Sequence, residues 1–178
     1  PSVDAPLTFW SLDVRLVPRL KLDLPAFPGT LLRSAFGVAL RRSVCTTGAP
    51  TCQGCPHVAT CAYGYAFETP LAVAVGHPGL GGQSAPHPFV LGLADPTPYR
   101  TVEAGAPLDV QLSLIGSGRT FLAPFILALG SLAHSGLGRD RVPVDLVDVT
   151  DRATGDRLWD GQERAFVGTP TDRTPATL

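Results

Sequence analysis

The stretch Pro28–Glu68 reads PGTLLRSAFGVALRRSVCTTGAPTCQGCPHVATCAYGYAFE, and the fold of the chain is organised around it. Its first part carries apolar residues four positions apart, at Leu32, Phe36 and Leu40, which is typical of a helix packed against a sheet. We predict a helix over Thr30–Arg42, with its first residue as the N-cap. This helix leads directly into a loop that contains every cysteine of the protein.

The four cysteines predict a metal site. Their spacing, Cys-x6-Cys-x2-Cys-x5-Cys, lets four thiols converge on one point, and thiolates are favoured ligands of tetrahedral Zn²⁺. The loop has Val58 as its one long apolar side chain, so a hydrophobic core cannot order it. Two disulfides or unpaired thiols are the alternatives, and ligation by cysteine alone also suits an iron–sulfur cluster. The predicted ligands are Cys45, Cys52, Cys55 and Cys61.

Composition restricts the class of protein. The 178 residues are 44% hydrophobic and 16% charged, which is typical of a globular domain. The formal net charge of −1 gives no overall attraction to nucleic acid. No apolar run reaches the roughly 18 residues of a membrane span, and the N-terminus lacks the features of a signal peptide. We therefore expect no membrane partner and a cytoplasmic location, where reducing conditions favour metal over disulfides.

Alternation of apolar and polar residues, together with short apolar runs, predicts the strands. These segments are Thr8–Val17, Phe67–Val75, Phe89–Leu93, Leu108–Leu114, Val142–Val149 and Asp156–Trp159. A second helix, Thr120–Ser135, is almost entirely apolar and is predicted to be buried. This order predicts an α+β, ferredoxin-like (RRM-like) fold, an antiparallel sheet with two helices on one face. The predicted domain covers 1–160 with the cysteine insertion at 45–61, and 161–178 is predicted to be a linker or tail.

The same stretch resembles a family of CRISPR-associated enzymes, the precursor-crRNA processing endoribonucleases of the RAMP superfamily. In that family a Pro-Gly-x-x-Leu-Arg-x-x-Phe-Gly-x-x-Leu helix precedes a four-cysteine loop that ends in Cys-x-Tyr and Phe-Glu. The matching residues are Pro28, Gly29, Leu32, Arg33, Phe36, Gly37, Leu40, Cys45 to Cys61, Tyr63, Phe67 and Glu68. The resemblance continues through Leu114–Gly116, the second helix and Gly136–Arg139, and covers roughly residues 8–160.

The resemblance implies tandem ferredoxin-like domains, of which the second carries a glycine-rich loop that grips RNA. The present chain matches the N-terminal half of such a protein. We therefore expect residues 161–178 to lead toward a second RAMP domain that is absent from this chain.

The resemblance also implies RNA cleavage without a catalytic metal. The 2′-hydroxyl beside the scissile phosphate attacks it and leaves a cyclic phosphate, with a general base, a general acid and a stabilising cation. Histidine suits the acid and base roles at neutral pH. His57 lies inside the cysteine loop beside the arginine-bearing helix and is the predicted catalytic residue, while His77, His87 and His134 are the alternatives.

Arginines are the predicted contacts to CRISPR repeat RNA, because the guanidinium group pairs with phosphate and stacks on bases. These are Arg33, Arg41, Arg42, Arg119, Arg139 and Arg141. Arg33 lies near the start of a helix whose backbone amides can also hold a phosphate. Tyr63, Tyr65 and Phe67 are further candidates for stacking on bases.

Two other functions fit the same features. A non-catalytic RAMP subunit would bind crRNA through the same arginines, next to other subunits of a CRISPR effector complex. A zinc-stabilised protein-interaction domain would bind no RNA. Affinity for RNA, and cleavage of the RNA that is bound, distinguish the three.

Overall fold

The computed structural model of the chain describes residues 7–68 and 87–175. In these two ranges an antiparallel sheet forms one layer, and helices pack against one of its faces. The strands are β1 (Phe9–Pro18), β2 (Leu22–Asp23), β3 (Phe89–Leu93), β4 (Thr101–Val102), β5 (Leu108–Ile115), β6 (Val144–Asp151), β7 (Arg157–Asp160) and β8 (Ala165–Phe166). The helices are α1 (Pro28–Val44), α2 (Leu122–Gly130) and α3 (Leu132–Ser135), and shorter turns of π and 3₁₀ type span Gly64–Glu68 and Gly116–Phe121.

The main sheet has the strand order β3-β5-β1-β6-β7-β8, and every neighbouring pair is antiparallel. The β1–β5 pair is in continuous register, from Phe9 opposite Ile115 to Leu16 opposite Leu108. β2 and β4 pair with each other in a separate, two-stranded sheet. The α+β class and the antiparallel sheet predicted from the sequence are therefore confirmed.

Alternation along the central strands decides which face of the sheet is buried. Leu12, Val14 and Leu16 of β1 are buried in the same apolar cluster as the inward side chains of the helices. Arg15 of β1 and Asp109 of β5 lie on the opposite face, where they form an ion pair. The period of two thus turns an apolar face toward the helices and leaves a polar face outward.

The core is centred on Phe36 of α1, which is fully buried. Its ring centroid lies 5.0 Å from that of Phe125 in α2, 5.8 Å from that of Phe89 in β3 and 6.0 Å from that of Phe67. A side chain at Gly37 would meet the Phe67 ring at 3.1 Å, so the glycine permits that ring to pack closely on α1. One aromatic cluster therefore joins α1, α2, β3 and the turn that follows the cysteines.

α1 begins at Pro28 instead of the predicted Thr30, and it ends at Val44 instead of Arg42. The N-cap position is occupied by Phe27, and no side chain caps the helix there. The predicted cap by Thr30 is therefore wrong. A proline at the first helical position explains the earlier start, because its φ suits a helix and it has no N–H group to be capped.

The second predicted helix, Thr120–Ser135, is divided in the structure. Its first residues belong to the 3₁₀ turn, and the α-helical part is interrupted at Ser131, between α2 and α3. The Ser131 hydroxyl donates a hydrogen bond to the Ala128 carbonyl at 2.7 Å, and such a bond competes with the helical ladder. Although α2 is almost entirely apolar, none of the described helices is long and apolar enough to cross a membrane.

The predicted strand Phe67–Val75 is wrong where the structure describes it. Its first two residues belong to the π-type turn, because the Phe67 ring is drawn into the aromatic cluster. The remaining residues, 69–75, lie outside the described residues, as does His77.

The segment predicted as a linker or tail packs against the domain as far as Arg173. β8 pairs with β7, and an antiparallel bridge joins Arg173 to Phe9 at the start of β1. The indole N–H of Trp10 donates to a carboxylate oxygen of Asp172 at 2.7 Å. The buried carboxylate of Asp151 accepts hydrogen bonds from two backbone N–H groups, one of them that of Thr171. A second domain beyond this segment stays a prediction.

We expect Phe36→Ala to lower the free energy of unfolding by about 3–5 kcal/mol, because it removes the ring on which three others pack. Val38→Ala is the matched control, since Val38 lies on the same helix with 52% of its surface exposed, and it should change stability by less than about 0.5 kcal/mol. Chemical denaturation of both variants measures the two effects. Equal, small losses would contradict the central role of Phe36.

Candidate functional site

The four cysteines line one small cavity between the end of α1 and the turn Gly64–Glu68. Its volume is about 40 Å³, which is room for a single ion or a water molecule. Successive turns bring the loop back on itself, since the Cys55 N–H donates to the Cys52 carbonyl at 3.1 Å and the Cys61 N–H to the His57 carbonyl at 2.8 Å. The loop then passes so close to the π-type turn that a side chain at Gly64 would clash with the Val58 carbonyl.

All four cysteines are free thiols and are half-buried. The Cys45 sulfur lies 3.6 Å from the Thr47 hydroxyl. Hydrogen bonds from that hydroxyl and from the Gly48 N–H lower the pKa of the Cys45 thiol. Burial, and then the charge of Glu68, raise the pKa of the Cys52 thiol. Cys45 is therefore in a more polar environment than Cys52.

The donor set suits zinc, because four thiolates around a cavity of ionic size are what a structural Zn²⁺ site uses. Within residues 7–68 and 87–175, however, no group of three or more His, Cys, Asp or Glu side chains is arranged so that it could hold a metal ion. A closed tetrahedral site would require the thiols to come closer together than they do in this arrangement. The metal site stays a prediction.

The histidines occupy different surroundings. His57 is exposed at the rim of the cysteine cavity, and its side chain has no hydrogen bond or ion pair within the described ranges. A ring nitrogen of His87 lies 2.8 Å from the Ala66 carbonyl, which ties it to the π-type turn. His134 lies in α3, far along the chain from the cysteine loop. The catalytic assignment of His57 stays a prediction.

Three of the arginines predicted to bind RNA are engaged inside the protein. The Arg33 guanidinium lies 4.5 Å from the centre of the Phe89 ring and 5.0 Å from that of Phe67, and burial lowers its pKa. Arg41 lies over Tyr63 and donates to a backbone carbonyl of the cysteine loop. Arg119 lies over Trp10 and forms an ion pair with Asp172. These side chains therefore hold elements of the fold together.

The other three, Arg42, Arg139 and Arg141, are exposed and make no ion pair or hydrogen bond through their side chains among the described residues. Arg42 lies in the last turn of α1. The other two lie in a tight loop closed by reciprocal backbone hydrogen bonds between Leu137 and Val142, at 2.8 and 2.9 Å. The loop presents both guanidinium groups to the surroundings.

Two basic residues not predicted from the sequence, Arg19 and Lys21, lie next to this loop. The Arg19 N–H donates to the Pro143 carbonyl at 2.9 Å, directly after the segment that contains Arg139 and Arg141. We call these four residues, Arg19, Lys21, Arg139 and Arg141, the basic corner. Within it Arg19 is paired with Asp145 and Asp140 lies between the two loop arginines, so Arg139 and Arg141 are the arginines available to a ligand. The basic corner could hardly be predicted from the sequence, because its two segments, 19–21 and 139–141, are brought together only by the pairing of β1 with β6.

The face of the sheet away from the helices differs from the basic corner. Its central side chains are polar and paired, with Arg15 bound to Asp109 at 2.9 Å and Arg152 to Asp13 at 3.7 Å. Gln111 faces the same way in the middle of β5, opposite Asp13. RRM-type sheets stack bases on aromatic residues in their central strands, and the middle of this face has none among the described residues.

Comparisons with known proteins give one family and a related fold. The family model AF_1859_N, described as an N-terminal domain, matches residues 7–171. An uncharacterized protein of Archaeoglobus fulgidus is 28% identical over 157 residues, which are 86% of this chain and 50% of the relative. The chain thus spans about half the length of that curated relative.

Among solved structures, the fold is similar to that of a chain in a crystal structure of the Csm3-Csm4 subcomplex in the type III-A CRISPR-Cas interference complex. The similarity covers 82% of this chain and 78% of that chain, with a TM-score of 0.50 and 14% sequence identity. At this identity the likeness is one of fold.

We expect Arg33→Ala to destabilise the fold by about 1–2 kcal/mol, because it removes a guanidinium group from two aromatic faces. Arg42→Ala, on the same helix and without such contacts, should change stability by less than about 0.5 kcal/mol. Thermal and chemical denaturation of the two variants provide the comparison. Equal stability of the two variants would mean that the contacts of Arg33 with the aromatic rings contribute nothing to folding.

Proposed function

The chain belongs to the AF_1859_N family, and we propose that it binds CRISPR repeat RNA as the N-terminal, RNA-positioning half of a precursor-crRNA processing endoribonuclease. The observation that carries the proposal is the basic corner, where Arg139 and Arg141 are exposed and unpaired within the described ranges. Fold similarity to a chain of a CRISPR-Cas subcomplex supports a CRISPR-related role.

Chain order and sheet order support a ferredoxin-like unit of the RAMP type. The elements β1, α1, β3, β5, α2 and β6 follow one another as strand, helix, strand, strand, helix and strand, and four of them are sheet neighbours in the order β3-β5-β1-β6. This is the split β-α-β arrangement. β7 and β8 extend the sheet beyond it.

In this proposal RNA runs along the basic corner and not over the open face of the sheet. Arginine pairs with phosphate in a bidentate manner, and Arg139 and Arg141 are available for such pairs. On the open face each of Arg15 and Arg152 already has an aspartate partner. A phosphate arriving there would have to displace a carboxylate and would meet its negative charge.

Cleavage belongs to the whole proposed enzyme, of which this chain would supply one half. We propose attack by the 2′-hydroxyl on the adjacent phosphate, with proton transfer by histidine and no catalytic metal. His57 is the predicted residue of this half, and its exposure allows contact with a bound strand. Because the curated relative is about twice as long as the match, further catalytic residues are expected in a second domain.

A second candidate function is that of a non-catalytic RAMP subunit, which would bind crRNA beside other subunits of an effector complex. The fold similarity favours it, because the similar chain comes from an interference complex. The two functions share the RNA surface and differ in whether bound RNA is cut.

The cysteine loop would be ordered by one structural Zn²⁺, bound by Cys45, Cys52, Cys55 and Cys61. The common cavity and the all-thiol donor set support this assignment. The ion would contribute folding free energy, since such a site does not exist in the unfolded chain. Iron in a cluster is the alternative within the same donor set.

Elemental analysis of the purified protein should give about one Zn per chain. Cys55→Ser should lose most of the metal and lower the unfolding temperature, because metal binding and folding are coupled. His57→Ala is the control and should keep the metal, since His57 is not among the proposed ligands. Protein with neither zinc nor iron, at unchanged stability, would contradict the assignment.

Binding of single-stranded repeat RNA should weaken with salt, with a log–log slope of about −0.7 for each phosphate contacted. Arg139→Ala and Arg141→Ala should each reduce the magnitude of that slope by about 0.7. Arg15→Ala, on the open face, should leave it unchanged. If Arg15→Ala alone reduced the salt slope, the RNA would bind at the open face. If the chain bound no RNA at all, a protein-interaction domain would be favoured.

Cleavage is tested with the natural gene product and its own repeat RNA in EDTA, with the structural metal retained. The endoribonuclease proposal predicts cutting with a cyclic phosphate end, and His57→Ala should bind RNA but cut it slowly. Cutting that requires added Mg²⁺ would contradict the acid–base mechanism. Binding without cutting would favour the non-catalytic subunit.

A further inference from the structure

An open groove lies between the helices and the extended edge of the sheet. It has a volume of about 410 Å³ and is bounded by α2 and α3 on one side and by β6 and β7 on the other. One wall is apolar and includes Leu127, Leu146 and Trp159. The other residues at the groove that matter for binding are polar or charged: Arg19, His134, Asp145 and Arg164.

The charges at the groove are unevenly satisfied. Arg19 and Asp145 form a two-point ion pair, at 2.8 and 2.7 Å, so the one carboxylate that lines the groove is already occupied. Arg164 and His134 are exposed, and their side chains have no ion pair or hydrogen bond in the part of the chain that the structure describes. Arg164 therefore has no partner at the groove among the described residues. His134 differs, because the pKa of the Asp145 carboxyl is lowered by the hydrogen bond from Arg19 and also by the charge of His134. The residue before Arg164 in the sequence, Glu163, is a further acidic residue near this arginine.

Arg164 is also held in an unusual backbone conformation. Its φ is 52°, in the left-handed region that non-glycine residues adopt infrequently. The position follows a turn in which the Asp160 carboxylate accepts from the N–H groups of Gln162 and Glu163. The turn therefore fixes the point at which the Arg164 side chain leaves the backbone.

The groove is continuous with the basic corner, because Arg19 belongs to both. Its size lies within the range of about 300–1,000 Å³ that is typical of small-molecule sites. An apolar wall beside an unpaired arginine and an exposed histidine suits a ligand with a flat, weakly polar body and an anionic group. A nucleotide has this combination, whereas an inorganic anion would leave the apolar wall in water.

We propose that the groove binds one nucleotide of the single-stranded RNA whose neighbouring phosphates contact the basic corner, so the inference rests on the proposed RNA-binding function. The base packs against Leu127, whose surface is 56% exposed, and Trp159 is buried behind this wall. Arg164 and His134 donate hydrogen bonds to the phosphate. A free nucleotide has the same base and phosphate groups. The experiment below distinguishes a nucleotide within RNA from a free nucleotide.

The test compares variants of the whole chain by fluorescence anisotropy with labelled single-stranded repeat RNA. Arg164→Ala should weaken binding by about tenfold, as expected for one charge-assisted contact, and should reduce the magnitude of the salt slope by about 0.7. Leu127→Glu should weaken binding by about as much or more, because it sets a carboxylate where the base packs. Arg152→Ala is the control, since Arg152 is paired with Asp13 on the open face, and it should bind as the unaltered chain does.

Leu127 and Arg164 are both exposed, so unchanged melting temperatures should show that their variants fold. RNA binding that is normal in Arg164→Ala and Leu127→Glu but weakened in Arg139→Ala would overturn the groove and leave the proposed function standing. No RNA binding by the unaltered chain would overturn both. Binding of free AMP or UMP that is lost in Arg164→Ala, with RNA affinity unchanged, would show that the ligand is a free nucleotide and would also overturn the inference.

Discussion

The contact of Phe36 with three other aromatic rings is the interaction on which the rest of the structure depends. It brings together α1, α2, β3 and the turn that closes the cysteine loop. Because Phe67 is anchored in this cluster, the cysteine loop leaves one rigid element, α1, and returns to another. A ligand at the cysteines would therefore have to order only the loop itself. Arg33 covers Phe67 and Phe89 and shields the cluster from water.

The arginines at the two ends of the sheet differ in whether they have partners within the fold. β1 starts at Phe9, near the aromatic turn and the cysteine loop, and finishes at Pro18, beside the basic corner. At the first end, arginines such as Arg41 and Arg119 bind carbonyl, carboxylate or aromatic partners within the fold. At the second end, Arg139 and Arg141 have no such partners among the described residues. Binding can therefore be altered at the second end with little cost to folding.

The sequence predicted the parts of the fold that depend on local pattern. The strict alternation of β1 and β5 predicted both the strands and their buried faces, and the spacing of Leu32, Phe36 and Leu40 predicted the buried face of α1. The boundaries were less predictable, because Pro28 could begin α1 without a side-chain cap and Ser131 could interrupt the second helix through its own hydroxyl. At both positions the local sequence allows the helix either to continue or to end, and the tertiary contacts decide between the two.

The roles of the arginines could not be read from the sequence, because their partners are distant in the chain. Arg33 lies off the apolar stripe of α1 and therefore resembles a free surface charge, but β3 places Phe89 beneath it. Arg119 meets Trp10 and Asp172 in the same way, and both partners are at least 53 positions away in the chain. The groove is likewise formed by residues of α2, α3, β6 and β7, which no single sequence motif joins.

The central claim is that the RNA strand is held mainly at the end of the sheet that carries the basic corner. Hydrogen–deuterium exchange of the chain with and without repeat RNA tests it most directly, because amides covered by a bound strand exchange more slowly. The account predicts that the largest protection falls on residues 18–22, 134–142 and 160–165, and that protection around His57 is smaller. Protection confined to 45–61, or to the strands of the open face, would contradict it.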